Sequence, residues 1–255
     1  MNILITGGNG YIASALRCVL QNKHDVTSVG RKDFCLVDCN ATCEWFKDRQ
    51  FDVVIHTAVV GGSRLFQDDT IALDTNTKMY DSLLINKHHF GKLISFGSGA
   101  EIFQPNTPYG MSKLRLAESI RTTENFYNLR IFAVFDENEL STRFIKSNIL
   151  CYNNKEPMSI HKNKIMDFFY MRDLVSLVDY YITAENPPKK THCCYEEKYT
   201  LKNIANMINS LNTHKVPIIV DDMNELEFYC GDFNLPPINL VGLRQGIKNV
   251  FKCLF

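Results

Sequence analysis

The first thirteen residues constrain this chain most, because they end a predicted strand, make a glycine turn and open a helix. Met1-Asn-Ile-Leu-Ile-Thr6 is a short apolar run, and Gly7-Gly8-Asn9-Gly10-Tyr11-Ile12-Ala13 follows at once. Gly7 permits the tight turn, Gly10 lets the backbone approach a pyrophosphate, and Ala13 is small enough for close helix–strand packing. The N–H groups and the positive end of the helix then face the phosphates. This strand–turn–helix context separates a dinucleotide-binding turn from an ordinary connection.

Apolar and amphipathic stretches alternate through the rest of the chain. Strands are predicted near 2–6, 25–29, 34–37, 52–57, 91–97 and 127–133, with helices near 10–21, 41–49, 70–87, 108–123, 139–152, 172–184 and 200–210. The alternation predicts an α/β fold, a Rossmann-type doubly wound parallel sheet. At 255 residues the chain is long enough for one large domain of this kind, or one and a half. Residues 1–135 read as the dinucleotide-binding sheet domain. Beyond them Pro157, Pro187-Pro188 and Pro236-Pro237 punctuate a looser region, 136–255, expected to form a small substrate lobe. The cations from Lys162 to Lys164 read as a solvated loop.

Charge excludes some partners. Lys and Arg number 28, as do Asp and Glu, so nothing electrostatic favours nucleic acid or an anionic membrane. No apolar run approaches twenty residues and no basic region precedes the first strand, so neither membrane insertion nor secretion is expected, and the protein reads as cytoplasmic. The nine cysteines form no C-x-x-C pair and are expected to be reduced thiols without a metal.

A second signature carries chemistry. Tyr109-Gly-Met-Ser-Lys113 has Y-x-x-x-K spacing, which puts both side chains on one helix face. A nearby ammonium favours phenolate over phenol. Ser98 lies upstream in Ile94-Ser-Phe-Gly-Ser98, at a predicted strand end.

These residues together resemble the extended short-chain dehydrogenase/reductases, the nucleotide-sugar epimerase/dehydratase/reductase group. Thr6 to Ala13 looks like that family's T-G-x-x-G-x-[IL]-[GA], and Val54-Ile-His-Thr-Ala58 like its V-x-H-x-A. Met166 to Asp173 resembles R-D-F-x-x-V-x-D, and Val241 to Ile247 resembles G-L-x-x-G-[IL]. His56 to Gly62 most resembles the GDP-fucose synthase branch. The resemblance implies a C-terminal lobe interwoven with the sheet domain. It implies dinucleotide contacts from Gly7, Gly10, Tyr11, Ile12, Thr57, Ala58, Tyr109 and Lys113. Asp38 would meet the adenine amine, unless it merely caps the helix beginning near Ala41. Asn76 would support a Ser98–Tyr109–Lys113 catalytic triad, with Ser98 also touching substrate. It also implies a homodimer through helices near 74–87 and 108–123. Met79, Leu83, Leu84, Leu114, Leu116 and Ile120 would serve that interface or the protein's own core.

Cofactor choice turns on the end of the second strand. Val26-Thr-Ser-Val-Gly30-Arg31-Lys32 has no carboxylate there and two cations just beyond, so NADP is expected, with Arg31 and Lys32 on its 2′-phosphate. Asp33 leaves NAD open. Tyr109 would exchange a proton with a sugar oxygen while the nicotinamide exchanges a hydride with the same carbon.

Departures from the family narrow the reaction. Gly99-Ala100 stands where dehydratases carry Asp-Glu, and Glu101 comes one position late. The places of the epimerising cysteine and histidine of GDP-fucose synthases hold Ala100 and Arg143. What remains is reduction of a nucleotide-linked 4-keto sugar, with 4-epimerisation through a transient ketone as the enzymatic alternative and a non-catalytic NADP sensor or scaffold as the other. Only ten residues separate Ser98 from Tyr109, so a substrate-covering loop is short. Met166 replaces an arginine that anchors nucleotide phosphates, and Arg143 or Arg172 would supply a replacement cation, a surface ion pair being the competing role for either.

Overall fold

Ile3, Leu4 and Ile5 are fully buried, as a strand covered on both faces requires. The computed structural model describes residues 1–62 and 70–255, and side chains there except at 223–225. In chain order the elements are β1 (Asn2–Thr6), α1 (Tyr11–Leu20), β2 (Asp25–Val29), α2 (Cys39–Phe46), β3 (Phe51–His56), α3 (Thr70–Ile85), β4 (Phe90–Ser98), α4 (Ala100–Phe103), α5 (Pro108–Thr122) and β5 (Phe126–Ile131). There follow β6 (Val134–Phe135), α6 (Phe144–Asn153), β7 (Met158–Met166), β8 (Phe169–Tyr170), α7 (Met171–Thr183), β9 (Lys190–Cys193), α8 (Leu201–Asn209), β10 (Ile218–Tyr229) and α9 (Leu243–Leu254).

Two compact units divide the chain. The first holds Met1–Arg130 and Leu177–Thr191, the second Ile131–Ser176 and His192–Phe255. The main sheet runs β2-β1-β3-β4-β5-β9, with β1 parallel to both β2 and β3, and β3 parallel to β4. Successive strands depart from β1 in opposite directions, which opens a crevice beyond the carboxyl ends of β1 and β3. In the first unit Leu4, Val54 and Leu93 of three strands meet Tyr80 and Leu83 of α3 and Leu116 and Ile120 of α5. Each fully buried Leu or Ile contributes about 1.5–3 kcal/mol. Leu83, Leu116 and Ile120 therefore serve the protein's own core, with Leu84 packed against it.

Three local expectations fail. Residues 34–37 form irregular chain and a turn rather than a strand, and Phe34 stacks on Trp45 with ring centroids 4.7 Å apart. The helix expected from 139 begins at Phe144, because the Glu139 carboxylate accepts from the Lys146 N–H (3.1 Å) and keeps the preceding residues in a turn. Lys162 and Lys164 lie in β7, parallel to β10, where Lys162 pairs with Glu227 at 2.5 Å.

The second unit has its own core, with Ile149 and Tyr152 of α6, Ile204 and Ile208 of α8, and Ile247 and Val250 of α9. Asp173 joins two of the sequence motifs there. Its carboxylate accepts from the N–H groups of Val241 (2.7 Å) and Gly242 (3.0 Å) and from the Tyr195 hydroxyl. Gly242, at φ +83°, then turns the chain into α9. All nine cysteines are free, and burial pushes the Cys194 thiol up to about 11. Among the described residues no helix is long and apolar enough to cross a membrane, and no cluster of three metal-ligating side chains occurs.

Candidate active site

The glycine turn at the end of β1 is built so that side chains are excluded. Gly7 has φ +72°, and a Cβ there would lie 2.7 Å from the Ala58 backbone. A Cβ on Gly8 would meet Ser28 Oγ at 2.4 Å, and one on Gly10 would meet the Gly7 carbonyl oxygen at 3.1 Å. The Gly8 N–H donates to the Val29 carbonyl (2.8 Å), and the Thr57 hydroxyl donates to the Thr6 carbonyl (2.6 Å). The ends of β1, β2 and β3 are thus locked around one bare stretch of backbone. Gly10 starts α1 without a capping side chain, as an anion at a helix N-terminus requires. Tyr11, Ile12, Thr57 and Ala58 are partly exposed at this crevice. These residues fit a dinucleotide pyrophosphate.

Beyond β2 both Arg31 and Lys32 are exposed. The Asp33 carboxylate is engaged on the Gly30 N–H at 2.7 Å, holding the turn that presents the two cations. Asp38 caps α2, accepting from the Ala41 N–H at 3.1 Å.

Ser98 ends β4 and is almost fully buried; its hydroxyl oxygen accepts from the Ala100 N–H at 3.2 Å. The short connection to Tyr109 is filled by the single turn of α4. Thr107 caps α5 through the Gly110 N–H (3.1 Å), and Pro108 takes the first helical position. A Cβ on Gly110 would lie 1.9 Å from the Gln104 carbonyl oxygen, so α5 starts directly against this turn. Ten residues suffice because glycine lets the two backbones touch.

Lys113 is one turn beyond Tyr109 on α5, its Nζ 5.8 Å from the Tyr109 ring centroid. The Lys113 ammonium is buried and donates to the Phe96 carbonyl at 2.7 Å. Burial pushes it down to about 8, against the opposing pull of the Glu101 charge. His56 is pushed down to about 3 by burial and by the Lys113 charge, and its Nδ1 lies 2.8 Å from Thr6 Oγ1.

Asn76 ties these parts together. Its amide oxygen accepts from the Val60 N–H (2.8 Å), and its amide nitrogen donates to the Val60 carbonyl (2.9 Å) and to Ser112 Oγ (3.1 Å). Ser112 in turn donates to the Tyr109 carbonyl (2.7 Å). Gly62 lies against the Tyr109 ring, where a Cβ would come within 2.7 Å of the phenol carbon. Sequence reasoning placed Asn76 but missed Ser112 and Gly62, whose roles appear only once the loop after β3 is packed on α5.

Arg143 and Arg172 belong to the second unit and are exposed. The ion pairs among the described residues include neither, while the Arg143 charge bears on the Glu139 carboxylate. Glu101 is not turned toward acid–base work: it forms a buried ion pair with Arg130 at 2.5 Å.

Residues 3–193 match the model of the NAD dependent epimerase/dehydratase family. A CDP-abequose synthase of Yersinia pseudotuberculosis is 23% identical over 250 residues, covering 86% of this chain and 87% of that protein. A GDP-L-fucose synthetase of Naegleria fowleri bound to NADP superposes with a TM-score of 0.78 at 17% identity, over 98% of this chain and 91% of its own. UDP-glucose 4-epimerase of Thermotoga maritima gives 0.81 at 16% identity, over 100% and 98%. A family match across three quarters of the residues means that the chain belongs to the NAD dependent epimerase/dehydratase family.

Proposed function

We propose that the protein is an NADP-dependent oxidoreductase that reduces the 4-keto group of a nucleotide-linked sugar, with Tyr109 as the proton donor. The observation that carries this reading is the pairing of Tyr109 with a buried Lys113, while the acid nearest Ser98 is locked away by Arg130. Among the described residues, this reading gives the site one proton donor and no acid–base pair for elimination or for epimerisation beside the carbonyl. NADPH, when bound, supplies the hydride. Lys113 holds the nicotinamide ribose, and its ammonium makes the Tyr109 phenol a stronger acid toward the developing alkoxide. Ser98 holds the substrate oxygen in line with the phenol: its hydroxyl oxygen accepts from the Ala100 N–H, and its O–H is the group this reading assigns to the substrate oxygen. Arg31 and Lys32 favour NADP because the carboxylate next to them, Asp33, is engaged with Gly30. The names of the Yersinia and Naegleria proteins support a nucleotide sugar as substrate. Arg143 and Arg172 are the cations this reading assigns to its phosphates.

The test is loss of NADPH absorbance with a panel of nucleotide-linked 4-keto-6-deoxy sugars, with NADH in parallel. Depletion with one donor, faster with NADPH, is expected. No depletion with any donor would refute the reductase and leave the 4-epimerase, which keeps its nicotinamide through purification.

A further inference from the structure

Glu101 makes more bonds than a residue in a one-turn helix needs. Its side chain is wholly buried. One carboxylate oxygen accepts from Arg130 Nε (2.9 Å) and Nη2 (2.5 Å), and the other accepts from the Ser98 N–H (2.8 Å). The Asn128 amide lies 3.4 Å and 3.5 Å from the two oxygens. A Cβ on Gly97 would stand 2.2 Å from the carboxylate and 2.4 Å from Asn128 Oδ1, so this acid lies across the backbone just before Ser98. Lys113 docks on the same short segment, through the Phe96 carbonyl. One acid thus grips the main chain of one proposed catalytic residue beside a second.

We propose that Glu101, clamped by Arg130, is a positioning residue of this site: it fixes the Ser98 main chain and keeps Lys113 in its ammonium form. The consequence for catalysis rests on the Ser98–Tyr109–Lys113 reading; the charge of Lys113 does not. The groups that bear on Lys113 are Glu101 from α4, His56 from β3 and Tyr109 from its own helix, with Arg130 of β5 paired to Glu101. His56 is neutral near pH 7, so Glu101 supplies the negative charge that offsets the burial of the ammonium. A buried charge kept without such a partner would shed its proton.

Glu101→Gln keeps an acceptor for the Ser98 N–H and removes only the charge. The test is a titration of Lys113 by NMR on protein carrying ¹³C- and ¹⁵N-labelled lysine, assigned with Lys113→Arg and run without any substrate. In the wild type the midpoint is expected near 8, and in Glu101→Gln it should fall by about one unit or more. The alkaline limb of the kcat/KM profile should move to lower pH by the same amount. The single variant leaves Arg130 buried without its partner, so Glu101→Gln/Arg130→Met provides a second fold with both charges removed, in which the midpoint should also fall. An unshifted Lys113 in either folded variant overturns the proposal. A shifted Lys113 in a protein that reduces no sugar would leave it standing and reject the reductase instead.

Discussion

The two units use their buried polar groups differently. In the first, Glu101, Asn76, His56 and Lys113 are buried beside the residues proposed for chemistry, and their hydrogen bonds run to the backbone at Ser98, Val60 and Phe96 and to Thr6. In the second, Asp173 and Asp167 are just as buried, yet they bind the unit's own turns at Val241, Gly242 and Gly231. The cations proposed to meet substrate there, Arg143 and Arg172, stand in the open. A first unit filled with hydrogen-bonded polar groups suits a fixed reaction, and exposed arginines on a separately cored unit suit a substrate that differs from one relative to the next.

Substitutions can break this contrast. Tyr109→Phe should have the largest effect, lowering turnover about 10²- to 10⁴-fold with NADPH affinity unchanged, as steady-state rates and fluorescence titration would show. Full activity in that variant would remove the first unit's claim to the chemistry.

Acid should expose the first unit next. The folded-state value of His56 lies near 3, well below its unfolded value, so stability is complete above about pH 6.5 and is lost as pH falls toward 3. The loss is roughly 3 kcal/mol by pH 4. Thermal melts across that range check it, and His56→Asn should flatten the acid limb.

Arg31→Glu should weaken NADPH about 10- to 100-fold and NADH little. Equal losses would refute the phosphate assignment. The smallest change sharpens the contrast from the other side. Arg143→Ala should raise KM for the sugar about tenfold and leave NADPH binding alone. A change in NADPH binding instead would mean that the substrate and cofactor roles are not divided between the units.

What the sequence disclosed follows the same division. The turn at Gly7, the strand ends at Thr57 and Ser98, and the Tyr109–Lys113 spacing are legible because each needs a particular residue type within a few positions. The polar network is less so: Glu101 reads as a misplaced catalytic acid until Arg130, twenty-nine residues on, is seen beside it. In the second unit β7 and β10 pair across some sixty residues, and the polar Lys162 and Lys164 disguise β7 as a loop. The run at 34–37 has strand composition, but its Phe34 is drawn to Trp45 rather than to a neighbouring strand. Short-range backbone demands were readable, whereas pairings between distant residues were not.

The central claim is a hydride passed to a sugar carbon. Incubating the enzyme with NADPH deuterated at nicotinamide C4, on the face it transfers, and a nucleotide-linked 4-keto sugar, then reading the product by NMR, tests it directly. One deuterium at sugar C4 and stoichiometric NADP are predicted. Unlabelled sugar with the deuterium still on the cofactor would contradict the account.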